Sequence, residues 1–447
     1  MGTRPLFYLE GRTLRSSSAP PPHATRLLPC GLGVLGAISP RFMPSPRALL
    51  PLACLGLAAV HAAEPVGFED PRHGYFTQPP RDPFSLFTQA LASGADSLST
   101  DNEQTLLLGL LSKLKIPASS QMLVFSATSF QTGLISARNP RAIYFNEDTY
   151  LGHVPGGRVE IISIDPDLGA VFYLLDRPAP GRPIGFARSE RCMNCHAPKR
   201  TGGFPGLVVE SMIPGPSGGG ERSYRGDLSG HALPFFERFG GWHVTGEGKG
   251  FPHQGNLLID LTRAGRQEIP MPPGTLFDWR RYPAKTSDVL AHVLHEHQVG
   301  FINRCVEATY RTRRLEANDP QVQAQAAILL RYLLFAEEAP LPPGGLDGDP
   351  GFKADFLATR RALGTGPSLK DFDLRTRMFR YRCSYMIYSQ AFAGLPPALK
   401  QTLLRRLEEV LTRQVPGYDY LPAAERQTIR EILRATLPGL PPEWGRI

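Results

Sequence analysis

Hydrophobic and polar residues follow different patterns in the two halves of this chain. In the first half, short apolar runs rich in β-branched and aromatic residues lie between Pro, Gly and Asp, which predicts β-strands. An amphipathic stretch at 101–117 precedes them and predicts a helix. The strand-like runs fall at 121–131, 141–154, 158–176 and 206–213.

From Ser287 onward the apolar residues recur at the spacing of helices. The predicted helical segments are 287–314, 321–338, 397–414 and 422–435. Ser287, followed by Asp288, is expected to cap the first of them, because such side chains accept hydrogen bonds from the free amides of a helix N-terminus. Strands early and helices late predict an α+β fold, with a strand-rich N-terminal half and a mainly helical C-terminal half.

A segment near the N-terminus has the layout of a secretory signal peptide. Arg47 precedes an apolar run over residues 48–60, and small residues follow it. This run is much shorter than the roughly 20 residues that a membrane-spanning helix needs. We therefore expect residues 1–42 to be a non-native extension, Met43 to be the true start, and residues 43–63 to be a cleaved signal peptide.

The mature protein is therefore expected to be exported, to the periplasm, without a transmembrane segment. We expect residues 64–285 to form the strand-rich region and residues 286–447 to form a helical region that packs on it. Residues 1–63 contain six Arg and one Glu, so the formal charge falls from +8 for the whole chain to +3 for the remainder. The remaining Lys and Arg are dispersed, and no nucleic-acid partner is expected.

The sequence CMNCH at residues 192–196 is the strongest chemical signal in the chain. Cys192 and Cys195 stand three residues apart, and His196 follows directly. In an exported protein this spacing suits one covalently attached haem. The two thiols then form thioether bonds to its vinyl groups, and the histidine is the proximal iron ligand.

Other uses of two close cysteines need different surroundings. A structural zinc site requires further Cys or His ligands at close spacing, whereas Cys305 and Cys383 are isolated in the sequence. A thioredoxin-like pair opens a helix in a βαβ unit, and the flanking residues predict none. A chance match to the pattern stays open. In an oxidising compartment, Cys305 and Cys383 could instead form a disulfide with each other.

The CMNCH motif resembles the haem-attachment motif of c-type cytochromes. Other segments are similar to a group of large, exported bacterial proteins with a single haem, described as cytochrome c domain-containing. The similar segments are YFNEDTYLGHVPGG, DPDLGAVFYLLD, ERFGGWHVTG, EHQ and YMIYSQAFAGLP. The resemblance spans much of residues 120–440 and implies haem c, its iron and export, but no particular reaction. The size and the strand-rich first half differ from the compact helical fold of small cytochromes c.

The function of such a haem depends on whether a second protein ligand occupies the sixth iron position. We rank His253, in a glycine-rich segment, first for this distal position, with Met271 and His297 as rivals. Met271 precedes a proline, as the distal methionine does in many small cytochromes c, and His297 lies on an apolar helix stripe. Each of the three also has an ordinary interpretation: His253 as a loop histidine bonded to the backbone, Met271 as a loop methionine that fills a core gap, and His297 as a satisfied core residue. His292 and His295 lie off that stripe and are expected at the surface.

Cations and aromatic residues lie near the motif in the sequence. The cations either bind the haem propionates or are solvated surface charges, and the aromatic residues either line the haem or belong to an ordinary core. The cations are Arg188, Arg191, Lys199 and Arg200. The aromatic group comprises Phe204, Phe235, Phe236, Phe239 and Trp242, flanked by His231 and His243.

Two classes of function fit these residues. The first is an exported monohaem c-type cytochrome that passes single electrons to or from a redox partner protein. The alternative is a haem enzyme or sensor with an open sixth position, either peroxidase-like or binding a small gas. A structural haem in a binding protein is a third interpretation. We favour electron transfer because it requires only the motif that is present, whereas no distal acid–base pair can be assigned from spacing.

Overall fold

The computed structural model describes residues 67–177, 184–223, 230–247, 250–260, 265 and 267–445. The expected N-terminal extension and signal peptide lie outside these residues. Ala63–Ile447 forms one compact unit. The predicted α+β fold is confirmed, with an antiparallel sheet in the first half of the chain and helices in the second.

The sheet has seven strands, of which six follow one another as a meander. Its order is β6-β5-β4-β3-β2-β1-β9, and all neighbours are antiparallel. Two further pairs, β7 with β8 and β10 with β11, form separate two-stranded sheets. The strands are β1 (Met122–Val124), β2 (Arg141–Phe145), β3 (Thr149–His153), β4 (Val159–Asp165), β5 (Gly169–Leu175), β6 (Phe186–Arg188), β7 (Met212–Pro214), β8 (Gly220–Ser223), β9 (Trp242–His243), β10 (Leu257–Asp260) and β11 (Gln267–Pro270).

A helix lies within or close to each of the five predicted segments, 101–117, 287–314, 321–338, 397–414 and 422–435, whereas four further described helices were not predicted. The described helices are α1 (Pro83–Ala92), α2 (Glu103–Lys113), α3 (Met193–His196), α4 (Val289–Thr312), α5 (Pro320–Leu333), α6 (Pro350–Ala358), α7 (Gln390–Ala393), α8 (Pro397–Thr412) and α9 (Ala423–Thr436). Among the described residues, none of the helices combines the length and the hydrophobicity that a membrane span needs.

The long helix α4 runs through the middle of the unit. Its 24 residues span about 36 Å, and it packs against β5, α5 and α7. The Asp288 carboxylate caps the helix by accepting a hydrogen bond from the Leu290 amide at 3.0 Å. Ser287, which we expected to provide the cap, instead donates its hydroxyl to the carbonyl of His243 at 2.6 Å. The N-cap of α4 is therefore Asp288 rather than Ser287.

The two faces of the sheet have different neighbours. On one face, the Phe84 ring of α1 lies 4.7 Å from the ring of Tyr173 in β5. Because side chains alternate across a strand, Phe172 points to the opposite face. That second face is only partly covered by other elements, and a cavity lies above it.

Candidate functional site

The CMNCH segment folds as one tight turn that presents three side chains to the same space. A 3-10 turn over Glu190–Cys192 leads directly into the single-turn helix α3. Positions i, i+3 and i+4 share a helix face. Cys192, Cys195 and His196 accordingly all line one cavity.

This cavity has a volume of about 740 Å³, within the range of roughly 300–1,000 Å³ that is usual for ligand and cofactor sites. Its floor is the sheet, and its walls include the CMNCH turn, a loop at 126–132, the segment 207–212 and one position of α4. The sheet contributes Arg141, Ile143, Tyr150, Gly152, Glu160, Ile162, Phe172 and Leu174, among others.

The imidazole of His196 is held in one orientation. Its Nδ1 lies 3.0 Å from the carbonyl oxygen of Gly206, to which it donates a hydrogen bond, and its ring centre is 4.7 Å from that of Phe172. Burial lowers the pKa of His196 to about 4, although the bond to Gly206 acts in the other direction. The ring is therefore neutral at neutral pH, and Nε2 is the nitrogen left for a metal.

Both cysteines of the motif are unpaired thiols. Cys192 is half-buried and Cys195 is exposed. Burial raises the pKa of Cys192, so this sulfur is held mainly as the neutral thiol at neutral pH. The exposure of Cys195 places this end of the cavity at the molecular surface.

A partly buried ion pair crosses the cavity floor. Arg141 of β2 and Glu160 of β4 lie 2.6 Å apart, with exposed side-chain fractions of 15% and 13%. The strand between them carries Gly152, where a Cβ would lie 2.5 Å from the Arg141 guanidinium. The guanidinium therefore crosses β3 in the space that glycine leaves.

Arg200 is the predicted cation that lies in the cavity wall, where it pairs with Glu210, a second lining residue. Arg188 instead donates a hydrogen bond to the carbonyl of Tyr75. The guanidinium of Arg191 lies over the Phe130 ring, 5.3 Å from its centre. Lys199 lies in the adjoining 3-10 turn and is not a lining residue.

The three predicted distal ligands do not line this cavity. His253 accepts a hydrogen bond from the Gly255 amide at Nδ1, and its Nε2 lies 3.4 Å from Glu247. Met271 belongs to a small separate cluster beside β10 and β11. His297 is fully buried, as its helix stripe predicted.

His297 is a hydrogen-bonded core residue. Its Nδ1 lies 2.8 Å from Nδ1 of His231, and its Nε2 lies 2.7 Å from Oγ of Ser384. Both ring nitrogens thus have protein partners. His231 is engaged in this pair, and neither it nor His243 is a lining residue.

The expectation that His292 and His295 lie at the surface is wrong. They are 3% and 6% exposed, because α4 is enclosed on all sides. His292 contacts the carbonyl of His243 at 3.0 Å, whereas His295 lines the cavity. Residues 295 and 297 lie about 200° apart around a helix. The inward orientation of His297 therefore predicted that His295 lies on the opposite side of the helix.

Of the predicted aromatic wall, Trp242 lines the cavity. Phe204 instead stacks on Tyr310 with ring centres 5.0 Å apart. Phe235 lies in a 3-10 turn with its ring against the Arg238 guanidinium. Phe236 is exposed, and Phe239 packs against His292.

Cys305 and Cys383 are both buried and unpaired. The disulfide considered between these two cysteines is therefore not formed in this structure. Burial raises the pKa of both thiols, which makes them unreactive apolar core residues.

The donor set fits a covalently held haem. Two free thiols and one fixed imidazole converge on a cavity of suitable size, and the Gly206 carbonyl orients the imidazole as such partners usually orient metal-bound histidines. Within the described ranges, no group of three or more His, Cys, Asp or Glu side chains is placed to hold a metal ion. A haem iron needs only one or two protein ligands, because the macrocycle supplies the others.

Comparison with known proteins identifies no relative. No family model matches the chain, no curated protein matches it, and no solved structure resembles it at a significant level.

Proposed function

We propose that this chain is an exported monohaem c-type cytochrome that transfers single electrons. The observation that supports this proposal is the convergence of Cys192, Cys195 and His196 on one cavity, with both sulfurs unpaired. No other arrangement of donors in the described part of the chain suits a redox cofactor equally well.

Each residue of the motif has a distinct task. The thiols of Cys192 and Cys195 each add their sulfur and hydrogen across one vinyl double bond, so attachment needs thiols and no external oxidant. The imidazole of His196 supplies the proximal nitrogen, with its tautomer fixed by Gly206. Ile143, Ile162 and Leu174 give the cavity floor an apolar surface beside the ion pair of Arg141 and Glu160.

When bound, the haem supplies an iron that alternates between the ferrous and ferric states. The chain determines how a partner reaches it. Because Cys195 is exposed, the attachment end of the cavity lies where a redox partner protein can dock. Electron transfer thus needs no opening of the fold.

A second function is a haem enzyme or gas sensor with an open sixth position. It is supported by the finding that His253, Met271 and His297 do not line the cavity. The two functions differ in whether an added ligand can bind the iron, which can be measured directly.

The test is expression of the chain from Met43, its expected start, in a bacterium with a cytochrome c maturation system. We expect haem to stay with the polypeptide after denaturation, and the dithionite-reduced spectrum to be unchanged by carbon monoxide.

Cys192→Ala and Cys195→Ala should each lose one thioether bond, and the double variant should lose covalent haem. Cys305→Ala is the matched control and should retain it. Absence of covalent haem in the unaltered protein contradicts the proposal, and a spectrum that shifts with carbon monoxide favours the second function.

A further inference from the structure

The sheet register places a second imidazole over the same row of residues as His196. Phe172 of β5 pairs with Ile162 of β4, and Ile162 pairs with Tyr150 of β3. His196 lies over the β5 end of this row, with its ring centre 4.7 Å from that of Phe172. These paired residues point to one face of the sheet, which is the floor of the cavity.

His295 lies over the other end of the row. Its ring centre is 5.5 Å from that of Tyr150 and 5.3 Å from that of Phe145, which pairs with Tyr150 across β2 and β3. Neighbouring strands lie about 4.8 Å apart, so β3 and β5 are separated by about 10 Å. The two imidazoles thus lie over strands on either side of β4, which carries Ile162.

We propose that His295 would supply the second protein ligand of the haem iron, with His196 as the first. This inference rests on the proposed function, since it requires haem at the CMNCH turn. His295 has the correct chemistry for a strong iron ligand, lines the cavity and comes from an element other than the one that carries the attachment motif.

The surroundings of His295 keep its ring in place before any ligand binds. Its rotation is limited by Phe145 and Tyr150, and by Trp242, whose ring centre lies 6.5 Å away. Trp242 is itself fixed by a hydrogen bond from Nε1 to the carbonyl of Glu210 at 3.0 Å. Tyr150 donates its hydroxyl to Gln298 of α4 at 2.8 Å. A ligand held by packing loses little conformational freedom on coordination.

Met212 is the other candidate for the second protein ligand of the iron. It lines the same cavity from β7, and its sulfur lies against Gly220, 2.5 Å from where a Cβ would stand. A thioether at this place could also bind iron. The experiment must therefore separate an imidazole from a thioether.

The experiment compares the unaltered haem protein with His295→Ala and Met212→Leu. Each protein is reduced with dithionite, and its absorption spectrum is recorded before and after addition of carbon monoxide. Covalently bound haem per chain is measured in the same samples. We expect carbon monoxide to shift the spectrum of His295→Ala alone, and free imidazole to restore the original spectrum of that variant.

Three results would overturn the assignment of His295. They are a spectrum of His295→Ala that carbon monoxide leaves unchanged, a shift in Met212→Leu, and a shift in the unaltered protein. His253→Ala and Met271→Leu serve as further controls and should behave as the unaltered protein does. If covalent haem is missing from the unaltered protein, the proposed function itself fails, which distinguishes the two failures.

One measurement needs no variant and covers the case in which His295→Ala does not fold. The oxidised, unaltered protein is examined by near-infrared magnetic circular dichroism, in which bis-histidine and histidine–methionine iron give charge-transfer bands at different energies. We expect the bis-histidine band. The histidine–methionine band, or a high-spin spectrum, would overturn the assignment.

Discussion

At the scale of single residues, Gly152 shows how a missing side chain shapes the cavity floor. Its backbone conformation does not demand glycine, since its φ is not in the left-handed region. The constraint is space, because a Cβ would lie 2.5 Å from the Arg141 guanidinium. Glycine at this position therefore permits the ion pair between Arg141 and Glu160.

Gly152→Ala should displace the Arg141 side chain and weaken this ion pair. We expect the free energy of unfolding to fall by about 1–3 kcal/mol, the usual cost of overpacking. Urea denaturation of the protein checks this value. The matched control is Gly133→Ala, because no atom lies within 4 Å of the added Cβ. Equal effects of the two substitutions would contradict the role assigned to space at Gly152.

A second prediction concerns the ion pair between Arg238 and Glu296, which lie 2.8 Å apart and are 1% and 3% exposed. Glu296→Ala removes a charged partner of the buried guanidinium, so we expect a loss of about 3–5 kcal/mol in unfolding free energy. Chemical denaturation measures it. Arg280→Ala, which breaks an exposed pair with Asp278, should leave stability unchanged within error. Similar losses in both variants would show that burial does not determine how much an ion pair contributes to stability.

At the scale of elements, the N-terminus of α4 combines a helix cap with a tertiary contact. The Asp288 carboxylate accepts hydrogen bonds from the amides of Leu290 and Asp349, the latter at 2.6 Å. Burial raises the pKa of Asp288 to about 6, against the effect of these bonds. The folded protein thus binds a proton at Asp288 more tightly than the unfolded chain does.

This shift has a definite sign. Because the folded pKa lies above the unfolded value of about 3.9, the contribution of Asp288 to stability is full at low pH and declines as pH rises to about 6. Asp288→Asn keeps an N-cap acceptor and removes the titration. The variant should therefore gain stability relative to the unaltered protein between pH 4.5 and 7.5, by about 2 kcal/mol.

Urea denaturation at the two pH values measures this gain. Asp278→Asn is the control with the opposite sign, because the hydrogen bond from Arg280 lowers the pKa of the exposed Asp278. A stability difference between Asp288→Asn and the unaltered protein that does not change with pH would show that Asp288 does not titrate in this range.

The sequence predicted α4 well but not the orientation of all its residues. Apolar spacing located the helix and the inward position of His297. It placed His295 at the surface because one apolar stripe normally implies a solvated opposite face. Here that opposite face packs on the sheet, so the helix has no solvated side through most of its length. A pattern in one helix cannot reveal how many neighbours enclose it.

At the scale of the whole molecule, one large core joins the strand-rich and helical regions. Buried residues from the sheet, from α4 and from the later helices belong to the same cluster. Cys305 and Cys383 lie within this core and are unpaired. Packing, rather than a covalent link between distant segments, therefore holds this part of the fold together.

This arrangement predicts the number of reactive thiols after denaturation of the chain without residues 1–63. The haem protein should expose two, from Cys305 and Cys383, because thioether bonds block the other two of the four described cysteines. Protein expressed without haem should expose four. Titration with a maleimide, read by mass spectrometry, counts them. A reductant should not change the thiol number or the unfolding midpoint, and a gain of two thiols on reduction would demonstrate a disulfide.

The sequence alone determined the order of strands before helices, the positions of the main helices and the three side chains of the CMNCH turn. These features are local, since period, cap and spacing act within a few residues. Tertiary structure decided which side chains share the cavity, because sheet register and helix packing bring together residues far apart in the chain. Tyr150, Phe172 and His295 line the same cavity through this register and packing, and no local pattern encodes their proximity.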